Sequence, residues 1–158
     1  MTQPLATGTR IDPAHLASIV ARAADRPGNW LNAVRFDANS RWYQRLVLDE
    51  AYEVWLLTWL PGQHTGFHDH GPSAGAFAVA LGCLSERVAL DGRPAPIATT
   101  VSRGSVLSFG PDYVHEVRND SAMPSVSIHA YSPPLTSMRR FDVAASGLLR
   151  AIAEQRSW

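Results

Sequence analysis

Two histidines set two residues apart are the first sign of chemistry in this chain. They stand in Gly62-Gln63-His64-Thr65-Gly66-Phe67-His68-Asp69-His70. On an extended strand alternate side chains share a face, so the imidazoles of His68 and His70 aim at one point. Imidazoles placed in this way can begin a metal site. In an exposed loop the same pair would bind nothing, so the surroundings decide. A second polar set has the same period. Ser127, His129 and Tyr131 share one face of a strand, and Val126, Ile128 and Ala130 share the other. Facing a cavity, Ser127, His129 and Tyr131 would form a hydrogen-bonded row; facing water, they would be the wet side of an antiparallel strand. Arg45 offers a planar fork that matches a carboxylate, or is an ordinary edge-strand cation.

The elements that must hold these residues follow from the pattern around them. Asp12-Pro13 supplies an N-cap and a first-turn proline after a loose leader, residues 1–11. Leu16, Ile19, Val20 and Ala23 continue at helical spacing until Pro27-Gly28, with His15 on the surface of the first turn. Residues 29–40 read as a short helix and a connector, which makes the helical part about 12–40. From 41 onward the pattern changes to strands: 41–48, 52–60, 76–81, 84–90, 97–101, 105–109, 114–118 and 125–131, separated by Gly, Pro, Asn and Asp. Many short strands with regular turns predict a sandwich or barrel over about 41–134. After Pro133-Pro134 a last helix is expected over about 142–155, with Leu148, Leu149 and Ile152 as its buried stripe.

Composition narrows the function classes. A chain of 158 residues is expected to form one domain, residues 1–158, large enough for a real core. Formal net charge is zero and no long basic run occurs, which weighs against nucleic acid or an anionic membrane as partner. All positive residues are arginine. The one cysteine, Cys83, cannot close an internal disulfide and fits a reducing compartment. No stretch has the length of a signal-peptide core or a membrane span. The expectation is a cytoplasmic monomer.

Two glycine-anchored histidine patterns carry a resemblance. The first is Gly62, five residues, His68-Asp69-His70, four residues, Gly75, six residues, Gly82. The second is Gly104, ten residues, His115, three residues, Asn119. They resemble the two cupin motifs, the first closely and the second in part: Gly110 replaces the usual proline and Asp112 the usual glycine. The resemblance implies an all-β jelly-roll barrel in which His68, His70 and His115 bind one metal. The glutamate that usually completes the first motif is Gly75 here. Common non-haem iron sites use two histidines and a carboxylate. Three neutral imidazoles leave a divalent ion its full charge and should favour anionic ligands such as a thiolate. They could equally hold zinc and a water, so ligand type alone does not separate the metals.

More specific segments resemble the cysteine dioxygenase type I family: Tyr43-Gln44-Arg45, Trp59, His68-Asp69-His70, the Ser127-His129-Tyr131 row and Tyr131-Ser132-Pro133-Pro134. This implies an Fe(II) enzyme that oxidises L-cysteine with O2 to cysteine sulfinic acid. Arg45, beside Tyr43, would hold the substrate carboxylate. Tyr131 would donate a hydrogen bond to the substrate, oriented by His129 and Ser127. 3-Mercaptopropionate dioxygenases resemble the family but use glutamine, and Gln44 adjoins Arg45; another small thiol is a related alternative. A non-catalytic metal-binding cupin is a third reading, and a zinc hydrolase lacks a clearly placed general base. Mammalian members join a cysteine to the relay tyrosine; that position is Gly75, so Tyr131 is expected to keep a free phenol. His64 is expected outside the ligand set, and Asp69 and Glu116 to point away from the metal.

Overall fold

The first helix forms where a cap and an apolar stripe coincide. The computed structural model describes residues 9–157, so the leader expected at 1–11 lies mostly outside the described residues. Helix α1 spans Pro13–Ala24, and the Asp12 side chain accepts from the His15 amide as N-cap. Leu16 and Val20, one turn apart, are its buried residues. Residues 27–33 form two 3-10 turns, Pro27–Asn29 and Leu31–Ala33. Between them Trp30 is buried and donates its indole N–H to Ala23. Among the described residues no helix is long and apolar enough to cross a membrane.

The strands are β1 Tyr43–Leu48, β2 Glu53–Trp59, β3 Phe67–His68, β4 Ala74–Leu81, β5 Cys83–Val88, β6 Ile97–Ser102, β7 Val106–Phe109, β8 His115–Arg118, β9 Ser125–Ser132, β10 Met138–Val143 and β11 Leu149–Gln155. They build a five-stranded sheet, β1-β2-β9-β4-β7, and a six-stranded sheet, β11-β10-β3-β8-β5-β6. Every pairing is antiparallel. This is the jelly-roll of a cupin.

Strand alternation gives the five-stranded sheet two different faces. Val54, Leu56, Ala76, Ala78, Val126, Ile128 and Ala130 pack against Leu16 and Val20 of α1. The small alanines let the helix backbone approach. Trp55, Trp59, Phe77, Val79 and Tyr131 point the other way, into a second core with Leu84, Val101, Phe109 and Val117. Ser127 and His129 lie on that inner face, which is buried on β9 throughout.

The helix expected at 142–155 is not there: β10 and β11 form a hairpin, and the six-stranded sheet runs on to Gln155. Two forces outweigh the helical spacing of its leucines. β3 needs a neighbour, and β10 pairs Phe141 with Phe67 and Arg140 with His68. Gly147 turns the hairpin at φ +83°, where a Cβ would also collide with the backbone of Arg93. Leu148 and Ile152, the supposed buried stripe, are exposed.

Candidate metal centre

His68, His70 and His115 meet at one end of the barrel interior. His68 on β3 and His115 on β8 are direct cross-strand partners. His70 lies past the end of β3, in a turn closed by the Ser73 amide donating to His70 O at 3.1 Å. The turn, not simple strand alternation, therefore aims His70 at its partners. Ring centroids are separated by 4.8 Å (His68–His70), 4.8 Å (His68–His115) and 5.2 Å (His70–His115). The candidate ligand atoms all lie within 4.8 Å of one another, and all three residues are buried.

Asp69 points away, as expected, and pins the turn. It is 0% exposed. Its carboxylate accepts from the amides of Gly71 (3.2 Å) and Arg139 (3.0 Å), from Arg139 Nε (2.8 Å) and from Arg139 Nη2.

Each imidazole is held differently. His68 Nδ1 meets Gly66 O at 2.9 Å, and His115 Nδ1 meets Glu86 Oε1 at 2.8 Å, which leaves both Nε2 atoms for a metal. Tyr113 donates its hydroxyl to Glu86 at 3.2 Å. His70 lies between the rings of Tyr131 (4.7 Å) and Phe109 (5.2 Å), and neither ring nitrogen has a hydrogen-bond partner. A buried polar atom left unpaired costs about 1–3 kcal/mol. Burial pushes the His68 proton affinity well below its usual range, and the nearby His115 adds to this. Burial does the same at His70, followed by His68 and His115. Three buried imidazoles, with His68 and His70 kept neutral by burial and His70 with both nitrogens orphaned, fit a divalent transition ion.

Gly75 explains why no carboxylate joins them. A Cβ there would lie 2.5 Å from the Phe109 ring and 3.0 Å from Tyr131 Cδ1. The two aromatic rings that flank His70 occupy the space a larger residue would need. Cys83 is on β5, paired with Ser102 in the opposite sheet, whereas Tyr131 pairs with Gly75 and Glu53.

The polar row of β9 forms. Trp59 Nε1 donates to Ser127 Oγ at 2.9 Å, Ser127 Oγ meets His129 Nε2 at 2.8 Å, and His129 Nδ1 meets Tyr131 OH at 3.4 Å. Burial, then the charges of His115 and Arg41, pushes His129 down to about 3, so its ring is neutral near pH 7. Burial, and then Glu53, keeps the Tyr131 phenol protonated well above its usual range.

These groups border a cavity of about 180 Å³ that is lined by His68, His115, His129 and Tyr131, with Tyr43, Trp55, Arg41 and Arg140 among the other walls. No acidic side chain is among its lining residues.

Arg45 is not in that cavity. Its side chain is 43% exposed and meets the buried Glu53 at 3.4 Å, with the guanidinium 5.3 Å above the Trp55 ring. The expectation that it faces the cavity is corrected: the buried Glu53 carboxylate on the adjacent strand attracts a cation, and Arg45 supplies it. The cavity cations are Arg41 and Arg140. Arg41 lies 5.0 Å over the buried Trp59 ring and makes no hydrogen bond or ion pair among the described residues. Parity did not distinguish Arg41 from Arg45, since each lies two residues from Tyr43; the register shift after Arg45 is a tertiary feature. Arg140 was hidden by the helical reading of its segment. Glu86 carried no local signal. Gln44 does not line the cavity either. His64 is 51% exposed and pairs with Glu116, which also holds Arg87 and Arg118. His15 is exposed and Cys83 half-buried.

A family model described as cysteine dioxygenase type I matches residues 2–144. Cysteine dioxygenase type 1 of Danio rerio is 27% identical over 144 residues, covering 84% of this chain and 71% of that protein. The Bos taurus protein of the same name is 24% identical over 149 residues, covering 87% and 74%. A solved RmlC-like cupin protein from Desulfovibrio desulfuricans superposes with TM-score 0.56 at 23% identity, over 68% of this chain and 95% of that one. That structural likeness shows the fold.

Proposed function

The chain belongs to the cysteine dioxygenase type I family, and from that premise we propose an Fe(II)-dependent dioxygenase acting on a small thiol that bears a carboxylate, L-cysteine first. The observation that carries this reading is a cluster of three buried imidazoles, two of which, His68 and His115, line the same cavity as Arg41, a guanidinium without an ion-pair partner among the described residues. His68, His70 and His115 would hold the metal, which would supply the redox chemistry that lets a thiol react with O2. The reaction R–SH + O2 → R–SO2H places both oxygen atoms on sulfur, which is oxidised by four electrons as O2 is reduced.

The chain's own residues bind and orient. Arg41, stiffened by the Trp59 ring beneath it, takes the carboxylate in a two-point fork. Holding the sulfur end in one place removes several kcal/mol of entropic barrier. In the His129 tautomer with its proton on Nδ1, Ser127 donates to Nε2 and Nδ1 donates to Tyr131. The Tyr131 hydroxyl is then free to donate into the cavity. Gly75 leaves this phenol without a thiol neighbour. The reading assigns the protein to the cytoplasm.

Purified protein stripped of metal and reloaded anaerobically with Fe(II) should consume O2 and form sulfinate in equal amounts when given L-cysteine. Absence of uptake with every small thiol overturns the reading. Arg41→Ala should lower the preference for cysteine over carboxylate-free cysteamine about a hundredfold, the value of one bidentate charged pair.

A second substrate has specific support. Among the described residues no acidic side chain lines the cavity to hold an ammonium group. That favours thiol acids without an amine, such as 3-mercaptopropionate. Comparing kcat/KM for this compound and cysteine distinguishes the two.

A further inference from the structure

The cavity has more positive charge than a thiol monoacid needs. Arg140 is the direct cross-strand partner of His68, and opposite residues of an antiparallel pair put their side chains on one face. Its guanidinium therefore enters the same cavity as Arg41. It is tethered by neutral groups only: Nη1 donates to Thr65 O at 2.8 Å and Nη2 to Gln155 Oε1 at 3.4 Å. Among the described residues no carboxylate pairs with it, whereas the adjacent Arg139 is taken up by Asp69 on the outer side. Arg140 and Arg41 repel each other enough to weaken the hold of Arg41 on its proton, after burial itself. Two guanidiniums lining one cavity with no acidic side chain between them focus a positive potential that favours an anion there. One carboxylate satisfies one fork.

We propose that Arg140, steadied by Thr65 and Gln155, forms a second anion subsite, so that among thiol acids without an amine the cavity prefers one carrying two acidic groups. This rests on the dioxygenase reading for its thiol end. The subsite itself is a property of the barrel and can be examined without metal or turnover.

The first measurement is calorimetric binding of succinate and butyrate, four-carbon acids with two and one carboxylates, to chelator-treated full-length protein. Succinate should bind about tenfold more tightly, and Arg140→Met, which keeps the side-chain stem, should remove the difference. Arg140→Lys should restore part of it, which an unfolded variant would not. Equal affinities in the wild type overturn the subsite. So does an Arg140→Met protein with native melting that weakens both acids equally, because one carboxylate is then shared by both arginines. The second measurement is turnover on mercaptosuccinate against 3-mercaptopropionate. The diacid should be preferred, and Arg140→Met should reduce the preference about tenfold. Oxidation of monoacid thiols with no diacid preference overturns the subsite and leaves the dioxygenase reading intact. Tight succinate binding with no O2 uptake on any thiol upholds the subsite and overturns the dioxygenase reading.

Discussion

Two regions of the molecule each present a pair of arginines, and in each pair the two have opposite fates. At the start of the barrel Arg45 turns to the buried Glu53, while Arg41 enters the cavity over Trp59. In the last hairpin Arg139 turns to the buried Asp69, while Arg140 enters the cavity opposite His68. The outer member of each pair neutralises a carboxylate that folding has buried. The inner member finds no carboxylate, because none lines the cavity. The comparison teaches how to tell a structural arginine from a ligand-binding one. The residue type is the same, and what differs is whether the protein has already supplied the anion.

The largest effect expected from this contrast is at the outer pair of the hairpin. Asp69→Asn should destabilise the protein by about 3 kcal/mol, because a fully buried carboxylate with four hydrogen-bond donors becomes an amide that cannot accept from them all. Denaturant unfolding measures this, and metal content should fall with it, since Asp69 fixes the turn between two candidate ligands. A loss under about 0.5 kcal/mol would break the claim that the outer arginines are structural. Glu86→Gln extends the comparison to the histidine wall. It should weaken metal binding about ten- to hundredfold by loosening His115, with little change in melting of the metal-free protein. Equilibrium competition with a chelator is the readout. The smallest effect belongs to Arg45→Ala. It should cost about 1 kcal/mol of stability, since Glu53 keeps the Leu135 amide, and shift KM for cysteine less than about threefold. Its contrast with Arg41→Ala is the sharpest test. If Arg45→Ala abolished substrate preference and Arg41→Ala did not, the assignment of the two would be reversed.

Much of the fold and part of the site were legible beforehand. Helix α1 was announced by Asp12-Pro13 and the Leu16–Val20 spacing, which are local signals. The β9 row was legible because a period of two survives in any strand, and it faces inward because its other face carries the alanines and isoleucine that meet α1. The C-terminal hairpin was not legible. Leu148, Leu149 and Ile152 have helical spacing, and only the unpaired edge of β3 makes the segment a strand. Arg45 failed for a similar reason. Its neighbours in sequence match a substrate-binding pattern, but Glu53 across the strand pair decides where its charge goes.

By itself the sequence determined the alternation of inward and outward residues and the turn glycines, because these depend on backbone geometry within a few residues; His115 was joined to His68 and His70 by motif resemblance instead. Only the tertiary structure decided which arginines remain without a partner. That depends on which carboxylates become buried beside them, and burial is set by strands far apart in the chain.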